Sequence, residues 1–507
     1  MIFLLTASLL LPWACGIGLT FLLCPSREKG AAGWALRLSV GAGLGLGLAS
    51  CLYFICLWFG IAAYVPAADL GCCLLIGIPA LARLRKSAPV PRPPLPQPDR
   101  RSRFPLLLAW IFSLELIASA ASFLFAYLKE PHGRWDAWLI WNMHARFLFR
   151  GGDQWRDAFT SGLDWSHWDY PLLLPLSIAR SWQYMGGEGL AVPAVIAGLF
   201  TLLALGLLAS ALWLLKGRTQ GFLAAMALMG TPFFIFMGAS QFADVPFAFY
   251  ILATIVLLLL HGRSPDRPGA LILAGFSAGL CAWTKNEGLL FLMIAAVSLF
   301  RVTLRAEGWR PAGRRTAGLL AGALPALLAV FWFKTQLAPA NDLISGFAPA
   351  AIAAKLTDPG RYAAIAKSFF ITGLSFTQGL IDVRVGLRLN PGAVSILLLA
   401  VYLLLAGVRI DGRDRPGLIQ SAAMLGLMLI GYFFVYVLTP LDLDYHLATS
   451  LNRLFIQLWP SVIFLCFMMA GSPEPDPSPG DQPGTRSGPS GTESSPGGKP
   501  RKAGKPK

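Results

Sequence analysis

Charge is scarce in this sequence. Only 13% of its 507 residues are Asp, Glu, Lys or Arg, while 55% are hydrophobic. Soluble domains carry about 25% charged residues, so an ordinary soluble chain is excluded. Histidine is rarer still, with five in the whole chain. The eight cysteines (Cys15, Cys24, Cys51, Cys56, Cys72, Cys73, Cys281 and Cys466) all lie within or at the ends of apolar runs. None has Cys or His neighbours at zinc spacing, so they read as small hydrophobes rather than metal ligands or a disulfide framework. There is no phosphate-binding P-loop, no dinucleotide fingerprint opening a βαβ unit and no HExxH helix. Short alternating strands are missing too, which excludes a transmembrane β-barrel.

What the chain has is apolar length. Mean hydropathy is +0.60, and apolar runs recur at the length of a bilayer-crossing helix. The expected fold is all-α, a polytopic membrane protein of about thirteen transmembrane helices. They fall near 2–24, 38–60, 66–83, 104–128, 190–215, 219–239, 245–261, 269–284, 287–302, 317–335, 391–408, 417–438 and 454–471. The N-terminus lacks the basic n-region of a cleaved signal and reads as a retained span. Residues 1–84 hold three leading helices, and 85–103 form a Pro- and Arg-rich cytoplasmic linker. Residues 104–471 form a membrane module with two long external loops, 129–189 and 336–390, each expected to carry short interfacial helices. Residues 472–507, rich in Pro, Gly, Ser and Lys, read as a disordered cytoplasmic tail.

The net charge of +16 is a topology signal rather than a nucleic-acid footprint. Basic residues mark cytoplasmic connections, here those holding Arg83 to Arg103, Lys216 and Arg218, Arg263 and Arg267, Arg301 to Arg315, and Arg409 to Arg415. Thirteen spans put all of these on one side. The N-terminus is then external and the C-terminus cytoplasmic. Five polar clusters fall together on the opposite, external side.

The largest cluster is Glu130–Trp182, with seven tryptophans and three histidines. Trp135, Trp138 and Trp141 give an aromatic side to a short interfacial helix, while Asp136, Asn142 and His144 project elsewhere. Asp136 among aromatics suits a general base; the plainer alternative pairs it with Arg134. Further on, Trp165, Trp168 and Tyr170 offer stacking surfaces for a sugar or an isoprenoid, with His167 and Asp169 as polar contacts. Two ligands at HxD spacing do not assign a metal. No cofactor is expected, and a divalent ion stays an open alternative.

Asp244 opens a later span as either a helix cap or a substrate contact. Lys285 and Glu287 sit between two uncharged runs, either binding a phosphate oxygen or neutralising one another. Arg453 opens the last span; its partner is Asp442, Asp444 or a lipid phosphate. The expectation is that Asp136, Asp244, Lys285 and Arg453 surround one external site.

Together these features resemble the GT-C superfamily, the integral-membrane glycosyltransferases that use polyprenyl- or dolichyl-phosphate sugars, including protein mannosyltransferases and aminoarabinose transferases. The resemblance spans roughly 104–471. It rests on Trp135-Asp136-Ala137-Trp138 in a long first external loop, Asp244-Val245-Pro246 opening a span, and Thr284-Lys285 at a tight turn. It implies inverting transfer from a polyprenyl-phosphate carrier to an envelope acceptor, in a bacterial-type inner membrane with the site on the periplasmic face. By position, Asp136 takes the role of base and Lys285 that of donor-phosphate contact, and Arg453 is a second phosphate contact from the residues themselves. Glu130, Trp138, Asn142, His167, Asp169, Tyr170, Asp244 and Glu287 are expected to touch substrate. Many relatives carry two adjacent acids where this chain has Asp136-Ala137, and aminoarabinose-type relatives read Lys-Gly-Pro where this chain has Lys285-Asn286-Glu287, so sugar and acceptor stay open. The main alternative is a transporter or flippase of a lipid-linked or small anionic solute; a non-catalytic scaffold is another.

Overall fold

A computed structural model describes residues 2–24, 30–86, 104–159, 166–340, 349–375 and 396–471. Most of the predicted linker, parts of both external loops and the predicted tail lie outside the described residues.

The described chain is helical, with one isolated bridge between Val408 and Ala470. It begins with α1 (Ile2–Leu23), α2 (Ala31–Trp58), α3 (Val65–Lys86) and α4 (Phe104–Lys129). A π-helical turn at Ala137–Trp141 leads into α5 (Asn142–Arg150), and a 3₁₀ segment at Gly152–Phe159 precedes α6 (Leu173–Met185). Next come α7 (Ala191–Lys216), α8 (Arg218–Met229), α9 (Pro232–Ala239), α10 (Asp244–Arg263), α11 (Pro268–Thr284), α12 (Glu287–Glu307) and α13 (Trp309–Gln336). The last helices are α14 (Pro349–Leu356), α15 (Pro359–Ser375), α16 (Ile396–Ala406), α17 (Arg415–Leu438) and α18 (Leu443–Met469).

Ten helices among the described residues are long and apolar enough to cross a membrane. The other three expected spans differ for local reasons. The run 219–239 is broken into α8 and α9, which meet at 66°. Pro232 starts α9, and a proline drives the residue before it out of helix. The runs near 269–284 and 391–408 become α11 and α16, both shorter than a full span.

Hydropathy alone does not sort these helices into core and rim. α10 and α4 have similar hydropathy, yet 89% of the α10 window is buried against 6% for α4. An all-apolar helix suits either lipid or the middle of a bundle. α10 takes the middle, packed on α7, α11 and α18. The leading helices belong to the same body, since α2 packs on α7 and α6. α1 and α2 approach closely through small residues. A Cβ on Gly45 would come within 1.8 Å of the Pro12 carbonyl oxygen, and one on Gly16 within 1.8 Å of the Gly41 oxygen. Between helices in lipid, such close backbone packing supplies the attraction that apolar burial supplies in water.

The stretch expected as the first external loop is partly a buried helix. Nearly every residue of α6 is buried, and it packs on α1, α2, α5 and α7. Arg180 of α6 forms an ion pair with Asp69 of α3, both side chains at most 3% exposed. Arg180 also donates to the Ser8 carbonyl at 2.6 Å, and the Tyr184 hydroxyl donates to Asp69 at 2.5 Å. Removing one member would strand the other as an uncompensated buried charge. The pair thus locks α6 to the leading helices.

Gly45→Ala is expected to force α1 from α2 and to destabilise the protein by about 1–3 kcal/mol. Gly426→Ala, where a Cβ meets nothing within 4 Å, is the control. Thermal unfolding in detergent separates them; equal melting temperatures would remove the packing argument.

Candidate functional site

The site begins with a turn. Gly133 has φ +75°, and a Cβ there would clash with Ala137 at 2.5 Å and the Ser240 oxygen at 2.8 Å. Glycine therefore lets the chain leaving α4 fold onto the turn between α9 and α10. Gln241 completes the clamp from that turn, itself left-handed at φ 63°. Its side chain donates to the Pro131 carbonyl at 3.1 Å and accepts from Asn142 at 2.8 Å. The π-helical turn follows Asp136 directly, an irregularity that is common at functional sites.

This geometry brings Asp136 to Arg453 of α18, Nη1 to Oδ2 at 2.6 Å. Arg453 also contacts Asp244 at the start of α10, with Nε and Nη2 both 3.1 Å from Oδ2. The other Asp244 oxygen accepts from Lys285 Nζ at 3.0 Å and from Gln457 Nε2 at 2.6 Å. Lys285 reaches Glu287 at 3.3 Å. Asn286, next to Lys285 in the sequence, donates to Asp169 at 2.7 Å, and Lys334 pairs with the same Asp169 at 3.6 Å. Asp136, Asp244, Lys285, Glu287 and Arg453 thus meet in one network, and Asp169 lies beside it, bonded to Asn286 and Lys334.

Several plainer alternatives resolve here. Asp136 does not pair with Arg134, which holds Glu130 instead at 2.9 Å. Asp244 makes no side-chain cap; its oxygens are taken by cations and Gln457. Arg453 passes over Asp442, which caps α18 by accepting from the Tyr445 N–H. Lys285 and Glu287 do neutralise each other, but within a larger cluster. Burial works against the Lys285 ammonium, yet the Asp244 and Glu287 carboxylates hold its pKa above the usual value.

The aromatic residues divide. Trp135 and Trp138 are 66% and 42% exposed and lie edge to face at 4.9 Å. Trp141 is buried and stacks on Tyr170, with His167 on Tyr170 as well. Steps of three residues fall short of a full helical turn, and the intervening π turn adds to the drift. Burial raises the Tyr170 phenol well above its usual pKa, and the Glu287 and Asp169 carboxylates add to this, while Arg453 opposes it. Tyr170 therefore borders the charged network, whereas Glu130 and Trp138 make no contact with it.

Sequence reasoning missed Gln457 and Lys334, and took Gln241 only as the start of the polar cluster that ends at Asp244. Gln457 was traceable, being one helical turn after Arg453 in an apolar run. The string Gly275-Phe276-Ser277-Ala278-Gly279 has the spelling of a hydrolase nucleophile turn, but Ser277 is buried inside α11 and donates to the Tyr250 carbonyl at 2.9 Å. It is no nucleophile. Among the described residues no group of three His, Cys, Asp or Glu side chains is placed to hold a metal ion.

Asp244→Ala leaves Lys285 and Arg453 facing each other without their shared carboxylate. It is expected to destabilise by about 3–5 kcal/mol, whereas Glu130→Gln at the exposed pair costs about 0–1 kcal/mol. Thermal unfolding in detergent checks the contrast. His144 gives a pH prediction. It is buried, stacked on Trp168 at 3.8 Å, and bonded to the Ser166 carbonyl at 3.0 Å. Burial depresses its pKa to about 3, below the unfolded value of about 6.5. Its stabilising contribution is complete above that unfolded value and falls as pH drops toward 3. His144→Gln should flatten the loss of melting temperature between pH 6.5 and 4; an unchanged slope would contradict this.

In comparisons with known proteins, no family model, no curated protein and no solved structure matches this chain.

Proposed function

We propose that the protein is a membrane glycosyltransferase that moves a sugar from a polyprenyl-phosphate carrier to an envelope acceptor (lipid, glycan or protein) on the external face. One observation carries this reading. A loop carboxylate, Asp136, shares Arg453 with the buried Asp244, which in turn holds Lys285. A base for an acceptor hydroxyl and cations for a phosphate leaving group are what such a transfer needs.

The charge balance suggests the order of events. Asp136, Asp244 and Glu287 outnumber Lys285 and Arg453, so an incoming phosphate has to displace a carboxylate from a cation. The Arg453–Asp136 contact is the exchangeable one, its side chains being 19% and 21% exposed against 5% and 0% for Lys285 and Asp244. The donor phosphate takes Arg453 and frees Asp136. The acceptor hydroxyl gives its proton to Asp136 and its oxygen bonds to the anomeric carbon with inversion. The bond from that carbon to the phosphate oxygen breaks, and the departing phosphate keeps the electron pair, stabilised by Arg453 and Lys285. Tyr170, His167 and Asp169 serve substrate contact, and no metal is required. In a bacterial-type cell such a transferase would work in the inner membrane with its site on the periplasmic side.

The second reading is a transporter or flippase of a lipid-linked or small anionic solute. The break between α8 and α9 is the feature in its favour, since broken helices line transport sites.

Purified protein in proteoliposomes, given labelled polyprenyl-phosphate sugars and envelope extract, is expected to label an acceptor. Asp136→Asn should lower transfer at least about 100-fold while donor binding persists. Retained transfer by that variant would move the base to Asp169 or Glu130. Passage of the labelled lipid across the bilayer without any acceptor label would favour the transporter.

A further inference from the structure

A cavity lies across the Asn142–Gln241 contact from the ionic network. It is an open cleft of about 420 Å³, and its lining includes Arg146, Arg150, Glu188, Trp182, His132 and Asn142. Arg146 and Arg150 lie four residues apart on α5 and so share one helix face. Arg146 reaches Glu188 at 3.5 Å, and Arg150 holds the same carboxylate at two points. Two guanidinium groups against one carboxylate leave the cavity net positive. The Arg146 guanidinium also lies 5.9 Å from the Trp182 ring.

The opposite requirement comes from Asn142, which is 1% exposed. Its amide nitrogen donates to the His132 carbonyl at 3.0 Å and to Gln241 Oε1 at 2.8 Å. Because both partners are acceptors, the assignment of nitrogen and oxygen is fixed. The remaining Oδ1 is buried and has no hydrogen-bond partner. Buried polar atoms are normally satisfied, so a ligand that fits this cavity brings both an anion and a hydrogen-bond donor.

We propose that the cavity binds a phosphorylated polyol. The phosphate takes the forked donors of Arg146 and Arg150, a geometry that suits guanidinium groups, and a hydroxyl donates to Asn142 Oδ1. Bare phosphate lacks the second function. An amino-alcohol phosphate brings an ammonium group that the two guanidinium groups repel. Leu190 and Pro193 extend the lining to the start of the spanning helix α7, and Leu190 is 45% exposed. This is the level at which a lipid presents its headgroup. The same chemistry comes from an anionic glycerophospholipid or from a soluble polyol phosphate. The site stands on binding alone and goes beyond the glycosyl transfer proposed above.

The test uses the full chain in phosphatidylcholine nanodiscs, titrated with phosphatidylglycerol and, separately, with soluble glycerol phosphate, bound ligand being counted by native mass spectrometry. Saturable binding of either probe is expected, and which of them binds identifies the source. Arg146→Gln with Arg150→Gln should weaken it at least tenfold. Glu188→Gln, which removes the competing carboxylate, should tighten it, a gain that misfolding does not produce. Phosphatidylethanolamine should bind more weakly than phosphatidylglycerol. Binding of neither probe, equal binding of phosphatidylethanolamine, or no tightening in Glu188→Gln would each overturn the proposal.

Discussion

The Asp244 carboxylate is the constraint around which one end of the bundle is arranged. It is fully buried, and a lone carboxylate in such a place is untenable without compensation. Compensation comes from three side chains: Lys285 from the turn between α11 and α12, and Arg453 and Gln457 from α18. Each cation is itself too costly to bury alone, so each recruits a second carboxylate, Glu287 for Lys285 and Asp136 for Arg453. Asp136 belongs to the loop after α4, so the loop is held to the helices by this ionic chain. Burial of one group thereby fixes the relative positions of four separate parts of the sequence.

The second buried pair does the same for the rest of the loop. Arg180 and Asp69 hold α6 between the leading helices and α7. Helices α1–α3 precede the segment 104–471 that carries the ionic network. Their structural part is to wall in α6, and α6 backs α5 and the segment carrying Tyr170. The polar loop is therefore pinned at two ends by two ionic contacts, one at Asp136 and one at Arg180.

Much of the fold was legible because hydropathy is a sum over a window, and the lipid-length runs are unambiguous sums. Asp244, Lys285, Glu287 and Arg453 were legible for the related reason that each stands at the edge of an apolar run, and Asp136 because it lies among tryptophans in the one long polar cluster. What a window sum cannot carry is direction. It could not separate the buried α10 from the rim helix α4, nor tell that Trp141 turns inward while Trp135 and Trp138 stay outside. Pairing was equally invisible. Arg134 is the neighbour of Asp136 in sequence, yet it takes Glu130, while Asp136 takes Arg453 from more than three hundred residues away. Asp69 and Arg180 gave a weak signal, a lone acid in an apolar run and a lone base in another, but nothing in either run named the other as its partner.

Two neighbouring sites of opposite electrical balance follow from this arrangement. The network around Asp244 has more carboxylates than cations, whereas the cavity around Arg146 and Arg150 has the reverse. Asn142 and Gln241 stand between them and are hydrogen-bonded to each other. Gln241 lies three residues before Asp244 on one continuous turn, and Asn142 ends the π-helical turn that begins after Asp136. Any group that satisfies the free oxygen of Asn142 acts on a side chain whose other end already braces the Asp244 turn. The irregular backbone on both sides, a π turn at Asp136 and a left-handed residue at Gln241, is the part of this region that regular helix geometry does not fix. Gln241 couples the two sites, since its side chain holds both Asn142 and the Pro131 carbonyl of the cavity wall.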